Sequence, residues 1–69
     1  MPASRWFPAD NKRQRRKAET YARDRGLTFY LVKFSAGSKI YVGNMLPRQT
    51  LQEIKAGTAK ILEEKGSKL

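Results

Sequence analysis

The chain contains no cysteine and no histidine. Without cysteine there is no disulfide, no thiolate ligand for zinc or iron–sulfur and no thiol nucleophile. The missing histidine removes the commonest metal ligand and general base. Acids are scarce, with six Asp and Glu against fifteen Lys and Arg. Those six, Asp10, Glu19, Asp24, Glu53, Glu63 and Glu64, form no pair suited to a metal or glycosidase site. No catalytic residue, metal ligand or cofactor is expected, and the chain reads as a non-enzyme. Long apolar runs are missing as well. The longest, residues 27–32, is interrupted by Thr28 and closed by Lys33, far short of the roughly 18 residues of a membrane helix. The segment from Met1 to Pro8 has no apolar core of a signal peptide. A reducing, cytoplasmic setting fits these absences, with the nucleoid or nucleus implied if DNA is the partner.

What is present is positive charge on a short chain. Its 69 residues carry a formal net charge of +9, which without histidine barely changes across physiological pH. A chain this short makes a single small domain. Its partner is expected to be anionic, and its state a monomer or weak dimer.

Residues 1–9 hold two of the three prolines and read as an extended arm, with Trp6 and Phe7 as anchors. Residues 10–66 read as one basic α-β-β-α domain, and residues 67–69 as a frayed tail. Asp10 or Asn11 is placed to cap a helix over residues 11–25, and Gly26 to end it. The apolar stripe of that helix, Ala18, Tyr21 and Ala22, is thin. Residues 27–34 and 39–43 are aromatic and β-branched around Ser35-Ala36-Gly37-Ser38, a β-hairpin pattern. Alternation puts Leu27, Phe29, Leu31, Ile40 and Val42 on one face and Tyr30, Val32, Phe34 and Tyr41 on the other.

Thr50-Leu51-Gln52-Glu53 matches a capping box opening a second helix, from residue 48 or 50 to 65, with Gly66 as its C-cap. Leu51, Ile54, Thr58, Ile61 and Leu62 form its core-facing stripe, Lys60 and Glu64 pair on its outer side, and Gly57 suggests close packing. The expected fold is α+β: helix, hairpin, helix. The C-terminal helix covers the Phe29 face of a two-stranded antiparallel sheet, to which Arg5-Trp6-Phe7 can add a short third strand.

Lys12-Arg13-Gln14-Arg15-Arg16-Lys17 crowds five cations into the first turns of a helix. Helix N-termini carry partial positive charge, so cations there destabilise the free helix unless an anion such as phosphate is shared. With Arg23 these residues form the expected phosphate-binding set. Tyr30, Lys33, Lys39, Tyr41 and Arg48 extend it over the hairpin and beyond, giving an aromatic and basic surface unless the first helix packs there. A nucleic acid, DNA ahead of RNA, is the expected partner. The alternative is an interaction or inhibitor protein, for example of mobile-element origin, docking on an acidic protein surface.

Thr28-Phe29-Tyr30 and, ten residues on, Tyr41-Val42-Gly43 resemble the hairpin of GIY-YIG nucleases. That resemblance implies phosphodiester chemistry and carries over only Tyr30 and Tyr41. Thr28 replaces the family's first glycine, Arg48 lies nearer the hairpin than its catalytic arginine, and no downstream carboxylate is a clear metal ligand. The stretch from Lys39 to Gly43, followed by Thr50 to Ile54, is also similar to the hairpin-then-helix of integrase arm-binding and plant APETALA2-type domains. That similarity implies a sheet entering the DNA major groove. The terminal Ser67-Lys68-Leu69 spells a peroxisomal address, for which a frayed polar tail is the plainer reading.

Overall fold

In the computed structural model, which describes residues 4–66, strand β1 (Ser4–Pro8) leads into helix α1 (Lys12–Arg25). Strands β2 (Thr28–Phe34) and β3 (Gly37–Gly43), helix α2 (Arg48–Ala56) and strand β4 (Ala59–Lys65) follow. The four strands form one antiparallel sheet in the order β1-β3-β2-β4. The described residues therefore form a small α+β domain, with two helices and four strands.

Helix α1 begins and ends where its sequence says. The Asn11 side chain accepts a hydrogen bond from the Arg13 backbone N–H at 2.8 Å, satisfying one of the free donors of the first turn. At the other end Gly26 is left-handed (φ 66°), and Leu27 N–H donates to the Ala22 carbonyl at 2.9 Å. The hairpin forms, with Tyr30 opposite Tyr41 and Phe29 opposite Val42, but only Ser35 and Ala36 connect its strands, because Gly37 and Ser38, read as turn, pair with Phe34 and Lys33. The third strand anticipated from Arg5 to Phe7 is present and slightly longer. It lies along β3 with Phe7 opposite Ile40 and Trp6 opposite Tyr41.

The second half departs from expectation. Helix α2 spans nine residues and ends at Gly57 (φ 86°), where Gly57 N–H donates to the Ile54 carbonyl and Thr58 N–H to that of Glu53. This Schellman closure stops the helix, and residues 59–65 pair as a strand with β2. The sheet thus has four strands rather than two. Gly57 serves its backbone angle rather than close packing, since a Cβ there would meet nothing within 4 Å. The capping box is absent: Pro47 occupies the N-cap without a side-chain bond, and Thr50 lies buried inside α2. Gly66 follows a strand and caps no helix. Leu51 and Leu62, expected in the core, are exposed. Lys60 lies opposite Lys33 and Glu64 opposite Tyr30, so they make no helical pair.

The helices lie on opposite faces of the sheet. Strands β1 and β2 run parallel with β3 between them, joined through α1, and β3 and β4 run parallel with β2 between them, joined through α2. Both crossovers step in the same direction across the sheet but along oppositely directed strands. Right-handed connections then require opposite faces. Side-chain packing agrees: Ala18 and Ala22 of α1 meet Phe7, Phe29, Ile40 and Val42, whereas Ile54 of α2 meets Val32, Tyr41, Leu46 and Ala59. The Phe29 face is thus covered by α1, not by the C-terminal helix, and the Tyr41 face receives α2, not α1.

A β-bulge in β4 completes the arrangement. Leu31 pairs with Glu63 and Val32 with Ile61, which leaves Leu62 as the extra residue. Because successive side chains alternate, one inserted residue transfers everything beyond it to the other face. Ala59 and Ile61 consequently join the α2-side core, while Glu63 and Lys65 face α1.

Candidate nucleic-acid interface

Helix α1 presents its thin apolar stripe, Ala18 and Ala22, to the sheet and most of its cations to solvent. At 100° per residue Lys12, Arg13, Arg16, Lys17 and Arg23 share an arc of about 140°. All five are exposed and none makes an ion pair among the described residues. Asp24 lies on the same arc, and Glu19 at its margin is engaged elsewhere. From Lys12 to Arg23 the arc runs about 16 Å along the helix axis.

Arg15 differs from its neighbours. Its Nη2 donates to Glu63 Oε1 at 2.7 Å and its Nε to Glu19 Oε2 at 3.4 Å. Lys65 Nζ closes the group at 3.5 Å from Glu19 Oε2 and 3.8 Å from Glu63 Oε1. The guanidinium of Arg15 and the Lys65 ammonium each approach the Phe29 ring at 5.7 Å. The Arg15 hydrogen bond holds the Glu63 carboxyl below its ordinary value of 4.5, outweighing partial desolvation, and the charges of Arg15 and Lys65 add to it. Reciprocally, the bond to Glu63 raises Arg15 above its ordinary value, against desolvation and with further help from Glu19. Arg15 therefore ties α1 to β4, and the bulge at Leu62 makes the tie by turning Glu63 towards the helix.

Two cationic features adjoin the arc that the sequence did not single out. Arg5 on β1 and Arg25 at the end of α1 both stack on Tyr21, at 5.1 and 4.7 Å from its centroid, and Tyr21 in turn packs on Phe7. Alternation along β1 was the available signal: burying Phe7 sends Arg5 to the same face, beside α1. On the opposite flank a groove of about 490 Å³ is bordered by Arg16, Glu19, Arg23 and Lys65 over a floor of Ala22, Leu27 and Phe29.

The hairpin residues of the expected site lie apart from this surface. Tyr41 is only 9% exposed and Tyr30 half-buried, both on the α2 side, where Phe34 meets Tyr41 edge-on at 6.5 Å. Lys39 and the exposed Arg48 also belong to that side, while Lys33 is exposed on the α1 side of the hairpin tip. The structure thus brings together Lys12, Arg13, Arg16, Lys17 and Arg23, and separates them from Tyr30, Lys39, Tyr41 and Arg48. Tyr30 and Tyr41, the pair with the GIY-YIG spacing, face each other across central strands against α2. Among the described residues no group of three or more carboxylates could hold a metal ion, and no helix is long and apolar enough to cross a membrane. The terminal Ser67-Lys68-Leu69, read as a frayed tail or a peroxisomal address, lies outside the described residues.

No family model matches the chain, and neither a curated protein nor a solved structure does.

Proposed function

We propose that the protein binds nucleic acid through the solvent face of α1, with duplex DNA favoured over RNA and no catalytic step. One observation carries this reading: five cations, Lys12, Arg13, Arg16, Lys17 and Arg23, are held on one exposed helical arc without carboxylate partners, while the nearby glutamates are occupied by Arg15 and Lys65. Mutual repulsion makes such an arc costly in the free protein, and a row of phosphates relieves it. Duplex DNA fits the shape. A helix with its side chains is about 10–12 Å across and the B-form major groove about 12 Å wide, whereas the A-form major groove is too deep and narrow for side chains to read. Arg5 and Arg25, stacked on Tyr21, supply further contacts to the backbone, and the hairpin-tip Lys33 adds to them from the same side of the sheet.

Fluorescence anisotropy with a labelled random duplex over a range of salt tests the reading. The logarithm of affinity should fall linearly with the logarithm of salt concentration, with a slope of about −0.9 per phosphate neutralised. In an Arg16→Ala, Arg23→Ala variant the slope should flatten by nearly two such increments while the fold is kept. Salt-independent binding overturns the proposal. Absence of binding to duplex, structured RNA and single strand alike favours an acidic protein surface as the partner.

A further inference from the structure

Helix α2 does not cover the whole of its side of the sheet. It lies beside β4, and between its first turns and strand β3 a cleft of about 220 Å³ remains, lined by Phe34, Lys39, Tyr41, Pro47, Gln49, Thr50 and Glu53. Beyond β3, on the same face, Trp6 stands on the edge strand with 56% of its surface exposed, directly across from Tyr41. Lys39 lies between the two regions, its Nζ at 5.3 Å from the Trp6 ring and 5.7 Å from that of Phe34. Met45, also more than half exposed, follows β3.

Leaving a tryptophan in water forgoes the burial of a large apolar surface. Here the sheet holds it open. Phe7 must face α1 to fill the core, so alternation commits Trp6 to the other side, and α2 is too short and too far across the sheet to reach it. The outcome is an exposed indole with the Lys39 ammonium at its face, on a strongly cationic protein. Nucleic acid supplies both complements in one unit: an unpaired base offers a π-face to the indole, and the adjoining phosphate offers an anion to the lysine. Duplex does not, because its bases are already stacked.

We infer that Trp6 and Lys39 form a second binding surface, on the opposite side of the sheet from α1, at which Trp6 stacks an unpaired base of a single strand. On binding, the Lys39 ammonium leaves the indole face for the neighbouring phosphate, and the base takes its place. The inference rests on nucleic acid being the partner and adds the strand form and the residue that reads it. The two surfaces lie back to back, so the protein can hold a duplex and an unpaired strand at once.

Trp6 is the single tryptophan, so its fluorescence reports this contact alone. A short oligothymidylate is titrated against an oligonucleotide of equal length whose internal sites are abasic, and against duplex. Strong quenching by oligothymidylate, with little by the abasic strand or the duplex, is the expected result. By labelled-strand anisotropy Trp6→Ala should weaken single-strand binding about tenfold or more, Trp6→Phe should restore most of it, and both should leave duplex affinity unchanged. Lys39→Ala should reduce the salt slope on single strands by about 0.7. Equal quenching by the abasic strand, or no quenching while duplex still binds, overturns the stacking surface and leaves the α1 reading intact. If no nucleic acid binds, both fall. Circular dichroism of each variant separates loss of contact from loss of fold.

Discussion

Arg15 and Arg16 are adjacent and equally charged, yet their surroundings differ. Arg15 reaches Glu63 and Glu19, whereas Arg16 borders an open groove. Arg15→Ala should destabilise the domain by up to about 1 kcal/mol, the range for partly exposed ion pairs, while Arg16→Ala should leave stability unchanged or slightly raised. Urea melts of the two single variants decide the matter, and equal losses would place Arg16 in the scaffold too. Glu63 adds a pH signature. Its folded-state pKa is depressed by Arg15, so its contribution is fully present above its unfolded value and is lost as pH falls through the folded one. Below about pH 4.5 the wild type should lose melting temperature more steeply than Glu63→Gln. Parallel curves for the two would show that the contact contributes nothing. In the core, Ile40 is fully buried, and Ile40→Ala should cost about 2–5 kcal/mol, enough to unfold much of a domain this small. Ile54 is only half-buried, so Ile54→Ala should cost less in the same melts.

At the scale of elements, two short features decide the second half of the chain. Gly57 ends α2 in a left-handed conformation with free space around it. Gly57→Ala should therefore carry only the backbone penalty, about 1–2 kcal/mol, and no steric one. Leu62 is the bulged residue of β4. Deleting it would join Ile61 directly to Glu63, keeping the pairs Val32–Ile61 and Leu31–Glu63, so Glu63 and Lys65 should still face α1 and only the bulge should be lost. Leu62→Thr should be nearly neutral because the side chain is exposed. Comparing the melting temperatures of the deletion and the substitution isolates the bulge. These two features also mark where the sequence stops being readable. Asn11, Gly26 and the alternation from Phe29 to Val42 act through local physics, so α1 and the hairpin are legible from composition and period. Gly57 closes its helix with the same hydrogen bonds as Gly26, yet Leu51, Ile54, Thr58, Ile61 and Leu62 keep helical spacing across it. Ile61 satisfies a helix stripe and a strand face equally, and only pairing with Val32 selects between them. The basic arc was readable because charge needs no partner to be seen. The diversion of Arg15 to Glu63 depends on a bulge that no local pattern announces.

For the whole molecule, a net charge of +9 on 69 residues makes salt act on folding and binding with opposite signs. Screening relieves self-repulsion within the folded state while weakening attraction to a polyanion. Thermal melts should rise with added chloride over the same range in which duplex affinity falls, and a melting temperature that drops with salt would contradict the picture of unpaired cations on α1. The strand order has a kinetic counterpart. The hairpin of β2 and β3 is central, and β1 and β4 are attached to it independently, one on each side. Either margin can detach without breaking the other, so amide hydrogens of the two central strands should exchange with solvent only on global unfolding, while those of the margins exchange through partial openings at lower free energy. Trp6 sits on one such margin. If the proposed single strand stacks on it, exchange should slow along β1 and remain unchanged along β4, a local stiffening that a ligand on the α1 face would not produce.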